Sequence, residues 1–198
     1  MNKLGKGALL LLMPWLLASC ASVGTPTGHW QEQSQVSDFN ADGRLAVKIN
    51  EQGSYANFDW HYQNGVQTID VNTPLGNTVG QLCQDKLGVL AVGSNGRRLA
   101  ADSAEELSRQ LLGYDIPLQY LYVWAAGQRV KDAAYQVDKE GRLDQMGWTI
   151  SRTEDEAGKV KTLLLESKDL TLRLVFDNMQ TLAADATAPQ QCAARDEK

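Results

Sequence analysis

Leu45-Ala46-Val47-Lys48-Ile49 and, a few residues on, Ala56-Asn57-Phe58-Asp59-Trp60-His61-Tyr62 alternate apolar and polar residues with period two. Successive side chains of a strand point to opposite faces. Leu45, Val47 and Ile49 therefore share one face. Ala56, Phe58, Trp60 and Tyr62 share another apolar face, with Asn57, Asp59 and His61 opposite. Glu51-Gln52-Gly53 reads as the turn between them. The stretch is a β-hairpin with one apolar side.

The same pattern continues in both directions. Asn64-Gly65, a strong hairpin signal, leads to a third strand with Ile69 and Val71. Further strands are expected from about Thr78 to Cys83, from Gly88 to Val92, and after Ser94-Asn95-Gly96 through Leu99. A helical insert interrupts them. Ser103-Ala104-Glu105-Glu106 has the form of a capping box, Leu107, Leu111 and Leu112 give an apolar stripe, and Gly113 suits the stop. Ile116-Pro117-Leu118 opens a second helix carrying Leu121, Tyr122, Trp124 and Ala125, ended by Gly127. Strands then return: Tyr135 and Val137; Met146, Trp148 and Ile150; Leu163 to Leu165; and Leu170, Leu172, Leu174 and Phe176. Ahead of the first hairpin, Trp30 to Val36 is expected to be helical.

Consecutive antiparallel strands around two short helices predict a mainly β (α+β) fold. The economical form is one strongly curved antiparallel sheet, an open or half barrel, with the helices as a lid across its mouth. Such a sheet either fills its interior with side chains or encloses an apolar cavity. On the cavity reading, Leu45, Val47, Phe58, Trp60, Leu121, Trp124, Trp148, Leu172 and Leu174 are the candidate lining; on the other, they are core.

The chain begins differently. Lys3 and Lys6 precede the apolar run Ala8 to Leu17, and Leu17-Ala18-Ser19-Cys20 closes it. This is the layout of a bacterial export signal. Its ending resembles the lipoprotein box, in which the cysteine thiol is acylated and becomes the first mature residue. The run is too short to span a bilayer, which takes about 20 apolar residues. Residues 1–19 are thus expected as signal peptide and residues 20–28 as acylated cysteine and tether. Residues 29–182 form the domain, and 183–198 a polar, disordered tail. Ala21, in place of the Asp that retains lipoproteins in the inner membrane, favours the outer membrane.

Composition excludes several functions. The chain carries 19 Lys and Arg against 24 Asp and Glu, and loss of Lys3 and Lys6 makes it more acidic. An acidic domain is a poor ligand for phosphate backbones, so no nucleic acid is expected. His29 and His61 are the only histidines and lack ligand spacing, so no metal is expected. His61 and Asp59 share a strand face, but no nucleophile accompanies them; no catalytic residue, enzyme activity or cofactor is assigned. Cys83 and Cys192 could pair in an oxidising compartment, but nothing in the sequence brings them together.

Thr73-Pro74-Leu75-Gly76 lies between two strands. Pro74 pre-sets a turn, and Gly76 can take positive φ. Leu75 then either projects into water, as membrane- or partner-contacting residues do, or folds back onto the core.

The chain resembles the LolB family of outer-membrane lipoprotein receptors. The resemblance is carried by the lipobox, Trp30-Gln31, Phe58-Asp59-Trp60 and Asn72-Thr73-Pro74-Leu75-Gly76. Ala101-Asp102-Ser103-Ala104-Glu105-Glu106, Ile116-Pro117-Leu118 with Trp124 and Gly127, and Leu172 to Asn178 add to it. The resemblance implies an open, bent sheet with a helical lid over an apolar cavity. It implies transfer of triacylated lipoproteins from the periplasmic carrier LolA to the inner leaflet of the outer membrane, without nucleotide or metal. It assigns cargo insertion to the protruding loop, here Leu75 with Pro74 and Gly76. The implied protein is a monomer held at the periplasmic face by lipid on Cys20. A structural or assembly lipoprotein, and a tethered hydrolase, are the competing functions.

Overall fold

The computed structural model describes residues 29–195. The signal segment, Cys20 and the tether lie outside the described residues. The strands are β1 (Gln31–Glu32), β2 (Phe39–Ile49), β3 (Gln52–Gln63), β4 (Val66–Asn72), β5 (Thr78–Asp85), β6 (Gly88–Gly93) and β7 (Arg98–Ala101). After α1 (Ala104–Leu112), a 3-10 turn at Leu118–Tyr120 and α2 (Leu121–Ala125) come β8 (Gln128–Arg129) and β9 (Tyr135–Val137). β10 (Leu143–Gln145), β11 (Trp148–Glu154), β12 (Val160–Glu166) and β13 (Leu170–Thr181) complete the sheet.

Eleven strands form one sheet in the order β7-β6-β5-β4-β3-β2-β13-β12-β11-β10-β9, all antiparallel. β7 and β9 are its edges and do not pair, so the barrel stays open. The long β2–β13 pair joins the two halves of the chain. It bulges beside Phe176, where Gly43 is required by close approach: a Cβ there would lie 2.1 Å from the Val175 carbonyl oxygen.

The insert leaves one sheet edge after β7 and returns at the other before β9. α1 packs on β6 and β7, and α2 packs on β11 and β12. A short insert can touch both halves only because the sheet curls toward itself. The apolar face is therefore the concave one. Ser103 caps α1, accepting from the Glu106 N–H at 3.1 Å, and Gly113 ends it in the left-handed region at φ 79°. Leu107 is buried against Val89; the side chains of Leu111 and Leu112 lie outside the described part.

Four local expectations are corrected. Trp30 to Val36 is not a helix. Gln31 and Glu32 pair in parallel with β8, and the Gln128 side chain accepts from the Ser34 N–H, so the segment's polar groups are satisfied in extended form. The first hairpin turns at Asn50-Glu51, with Asn50 at φ 52°, and Gln52 and Gly53 already belong to β3. Pro117 precedes a 3-10 turn, and the second α-helix starts only at Leu121. Met146 is not a strand residue: Met146-Gly147 forms the β10–β11 turn, with φ of 55° and 79°.

The tail is a larger correction. Cys192 is disulfide-bonded to Cys83, and residues 183–195 lie on the convex side of β4–β6. Arg195 donates to both oxygens of Asp85 at 2.8 and 2.9 Å, and the Cys192 N–H donates to the same carboxylate at 2.8 Å. Arg98 donates to the Ala194 carbonyl, and Asn64 to that of Asp185. Val66 and Cys83 point outward from the sheet, and the tail covers them. A polar composition hid this because one covalent bond and one buried ion pair, rather than an apolar stripe, hold the segment.

Candidate functional site

The concave face gathers the expected lining residues. Phe58, Trp60, Leu121, Trp124, Trp148, Leu172 and Leu174 are all buried in one apolar cluster, and Leu45 and Val47 pack against it half-buried. Register explains the grouping. Val47 faces Leu172, and Leu45 faces Leu174 on one side and Ala56 on the other. The inward residues of successive strands therefore form continuous rows. Phe39 and Phe176 fill the space between, each with its ring 5.2–6.3 Å from that of Trp60.

The lid is fastened to this surface by polar contacts. Trp124 donates from Nε1 to Gln145 Oε1 at 3.2 Å, and the same oxygen accepts from the Val130 N–H. Arg152, pointing inward from β11, donates to the Ala125 carbonyl at the end of α2 and pairs with Glu154. Gly127 lies over the Arg152 guanidinium, 3.4 Å from where a Cβ would be. On the other half, Gln67 donates from Nε2 to the Leu118 carbonyl. Tyr62 stacks on Tyr122 at 4.6 Å. Burial, with Tyr122 and Asp38 nearby, pushes the Tyr62 hydroxyl up to about 12, so it stays protonated.

Sequence reasoning missed Gln67, Gln145 and Arg152. The signal for Gln145 was present: it follows Leu143 by two residues, so a polar group falls on the apolar face. A buried amide at such a position needs partners, and here it ties the lid to the sheet.

The Leu75 loop stands apart from this cluster. Thr73 closes it: its carbonyl accepts from the Gly76 N–H at 2.8 Å, and its hydroxyl from the Asn77 N–H at 3.2 Å. Pro74 and Leu75 occupy the two central turn positions, and Gly76 takes φ 87°. Leu75 is 90% exposed. Of the two arrangements the sequence allowed, the leucine projects into water.

The polar strand face carries no reactive pair. His61 Nδ1 bonds Asn40 Oδ1, and Asp59 accepts from Asn72 at 2.7 Å instead. Asp42, Asp59 and Asp70 are direct cross-strand neighbours, each accepting from an amide side chain: Asn178, Asn72 and Gln81. Among the described residues no helix is long and apolar enough to cross a membrane.

The outer membrane lipoprotein LolB family matches residues 37–178. An outer-membrane lipoprotein LolB of Neisseria meningitidis is 49% identical over 181 residues, 91% of this chain and 93% of that one. A relative of the same description from Chromobacterium violaceum is 32% identical over 176 residues, 87% of this chain and 97% of its own. Among solved structures, a LolA superfamily protein from Nitrosomonas europaea aligns with 77% of this chain and 90% of its own, at a TM-score of 0.43 and 7% identity. The family model thus spans the sheet from just before β2 into β13, and the chain belongs to the outer-membrane lipoprotein LolB family.

Proposed function

We propose that this chain is an outer-membrane lipoprotein receptor, anchored by acylated Cys20 at the periplasmic face. It accepts triacylated lipoproteins from the carrier LolA and releases them into the inner leaflet. It works as a monomer, without enzyme chemistry, metal or cofactor. The observation that carries this reading is the separation of two apolar features. One is a lidded concave surface; the other is a single leucine held out in water.

The thermodynamics suit non-covalent transfer. Acyl chains gain about 25 cal/mol for each Å² of apolar surface removed from water. The nine residues, seven on the concave sheet and Leu121 and Trp124 on α2, offer such surface where the lid lifts from the sheet. Tyr122 and Trp124 move with α2, and the Gln145 and Arg152 contacts set the cost of opening. A bilayer binds the chains more favourably still, which gives the final step its direction. Leu75 enters or disturbs the leaflet and opens the exit.

Leu75→Glu tests this division. The side chain touches no core, so folding and cargo acceptance are expected to stay as in wild type. Delivery of labelled lipoprotein from the receptor to outer-membrane vesicles is expected to fall at least tenfold. Normal delivery by the variant would remove the role assigned to Leu75. The dense packing of the concave cluster is what a purely structural envelope lipoprotein would also show. Failure to bind acylated cargo at all would favour that second reading.

A further inference from the structure

We infer that Trp60 and Gln67 form a polar subsite on the concave face that holds the carbonyl and the amide N–H of an acylated cysteine. The inference rests on the receptor reading and gives it a chemical selectivity beyond apolar burial.

Two buried polar atoms have no hydrogen-bond partner among the described residues on this face: Trp60 Nε1 and Gln67 Oε1. The indole is 1% exposed and the glutamine 2%, so neither is turned toward bulk water. Buried polar groups are nearly always paired, and an orphan asks for an explanation. The amide of Gln67 cannot simply be reversed to remove it. Its Nε2 donates to the Leu118 carbonyl at 3.3 Å and to Gln84 Oε1 at 2.6 Å, and the Leu118 carbonyl can only accept. Oε1 is therefore left as a free acceptor.

The two atoms belong to neighbouring positions. Trp60 lies directly opposite Ile69, and Gln67 is two residues along β4 on the same face. Such diagonal neighbours are about 7–8 Å apart. Trp60 supplies one N–H donor and Gln67 one acceptor. Gln67 sits beneath the 3-10 turn of the lid, donating to its Leu118 carbonyl, and Trp60 shares one buried cluster with Leu121 and Trp124 of α2.

The head of a triacylated cysteine has the complementary set. Its two glyceryl esters offer carbonyl acceptors. Its N-acyl amide offers a carbonyl and one N–H. Trp60 Nε1–H can donate to a carbonyl, and Gln67 Oε1 can accept from the amide N–H. A bare hydrocarbon satisfies neither. A site of this kind rejects ligands that lack the matching groups, because its own buried atoms stay unpaired. The subsite therefore selects chains joined through ester and amide groups over equally long alkyl chains.

The test compares two water-soluble probes on the full chain held in an amphipathic polymer. One is a short-chain N-acyl-S-(diacylglyceryl) cysteine peptide. The other is its analogue with all three chains joined through ether oxygens, so that the head carries neither an acyl carbonyl nor an acyl-amide N–H. Wild type is expected to bind the acyl probe at least tenfold more tightly. Trp60→Phe and, separately, Gln67→Leu are expected to shrink that preference severalfold, read as the ratio of the two affinities within each variant, so that any change in lid attachment or packing common to both probes cancels. Circular dichroism checks that each variant is folded, and either one suffices. Equal affinity of wild type for both probes would overturn the subsite while leaving the receptor reading intact. An equal loss for both probes in the variants would do the same, assigning Trp60 to packing on Phe39. Failure of wild type to bind either probe would overturn both.

Discussion

Trp124→Ala is expected to destabilise the protein by about 3–5 kcal/mol, the range for removing a large aromatic from a packed core. Trp124 is fully buried in the concave cluster, against the rings of Tyr120 and the inward rows of the sheet. Truncation empties that space and removes a donor from Gln145, which also holds the Val130 N–H. Both effects fall on the attachment of the lid. Urea unfolding should therefore show a lower midpoint with an unchanged slope. Trp124→Phe restores most of the volume but not the hydrogen bond, so its loss should be about half. A midpoint within error of wild type for the alanine variant would show that α2 is not packed on the sheet.

Removing the Cys83–Cys192 bond is expected to cost about 2–5 kcal/mol, because it closes a sequence separation of 109 residues and long loops gain most from cross-linking. Reduction, or Cys192→Ala, should lower the melting temperature and release residues 183–195 to protease. The Asp85–Arg195 pair then has to hold the tail alone. Burial alone would raise the Asp85 carboxyl, but hydrogen bonds from Arg195 and the Cys192 and Leu87 N–H groups hold it below its usual 3.8. The sign follows: a depressed carboxylate contributes stability that is present above its unfolded pKa and lost as pH falls through the folded one. The reduced protein should accordingly shed its tail in acid at a higher pH than the oxidised protein. Equal protease resistance of both forms would contradict a disulfide-held tail.

Much of this was legible in the residues. Period-two alternation from Leu45 to Tyr62 and from Leu170 to Phe176 identified the inward rows, Asn64-Gly65 marked the β3–β4 turn, and Gly113 marked the end of α1. The lid was legible from Ser103 and the Ile116-Pro117-Leu118 start, though α2 is shorter than its apolar pattern suggests because Pro117 and the 3-10 turn use up its beginning. Leu75 was legible as a loop leucine, but its direction was not. That direction depends on how Thr73 closes the turn. The tail escaped notice because its anchor is a pair of residues far apart in sequence, and composition says nothing of such pairs. Gln67 and Arg152 escaped because a polar residue at an inward position reads as a break in the pattern until its partner, a carbonyl on the lid, is in place.

The most direct test of the whole account is transfer of cargo to an unlipidated form of this chain. Carrier LolA loaded with a labelled triacylated lipoprotein is mixed with the soluble receptor in the absence of membrane, and the two are separated. The label is expected to move to the receptor and to remain there until vesicles are added. Label that stays wholly with the carrier, when the receptor is folded, would contradict an acyl-binding concave face.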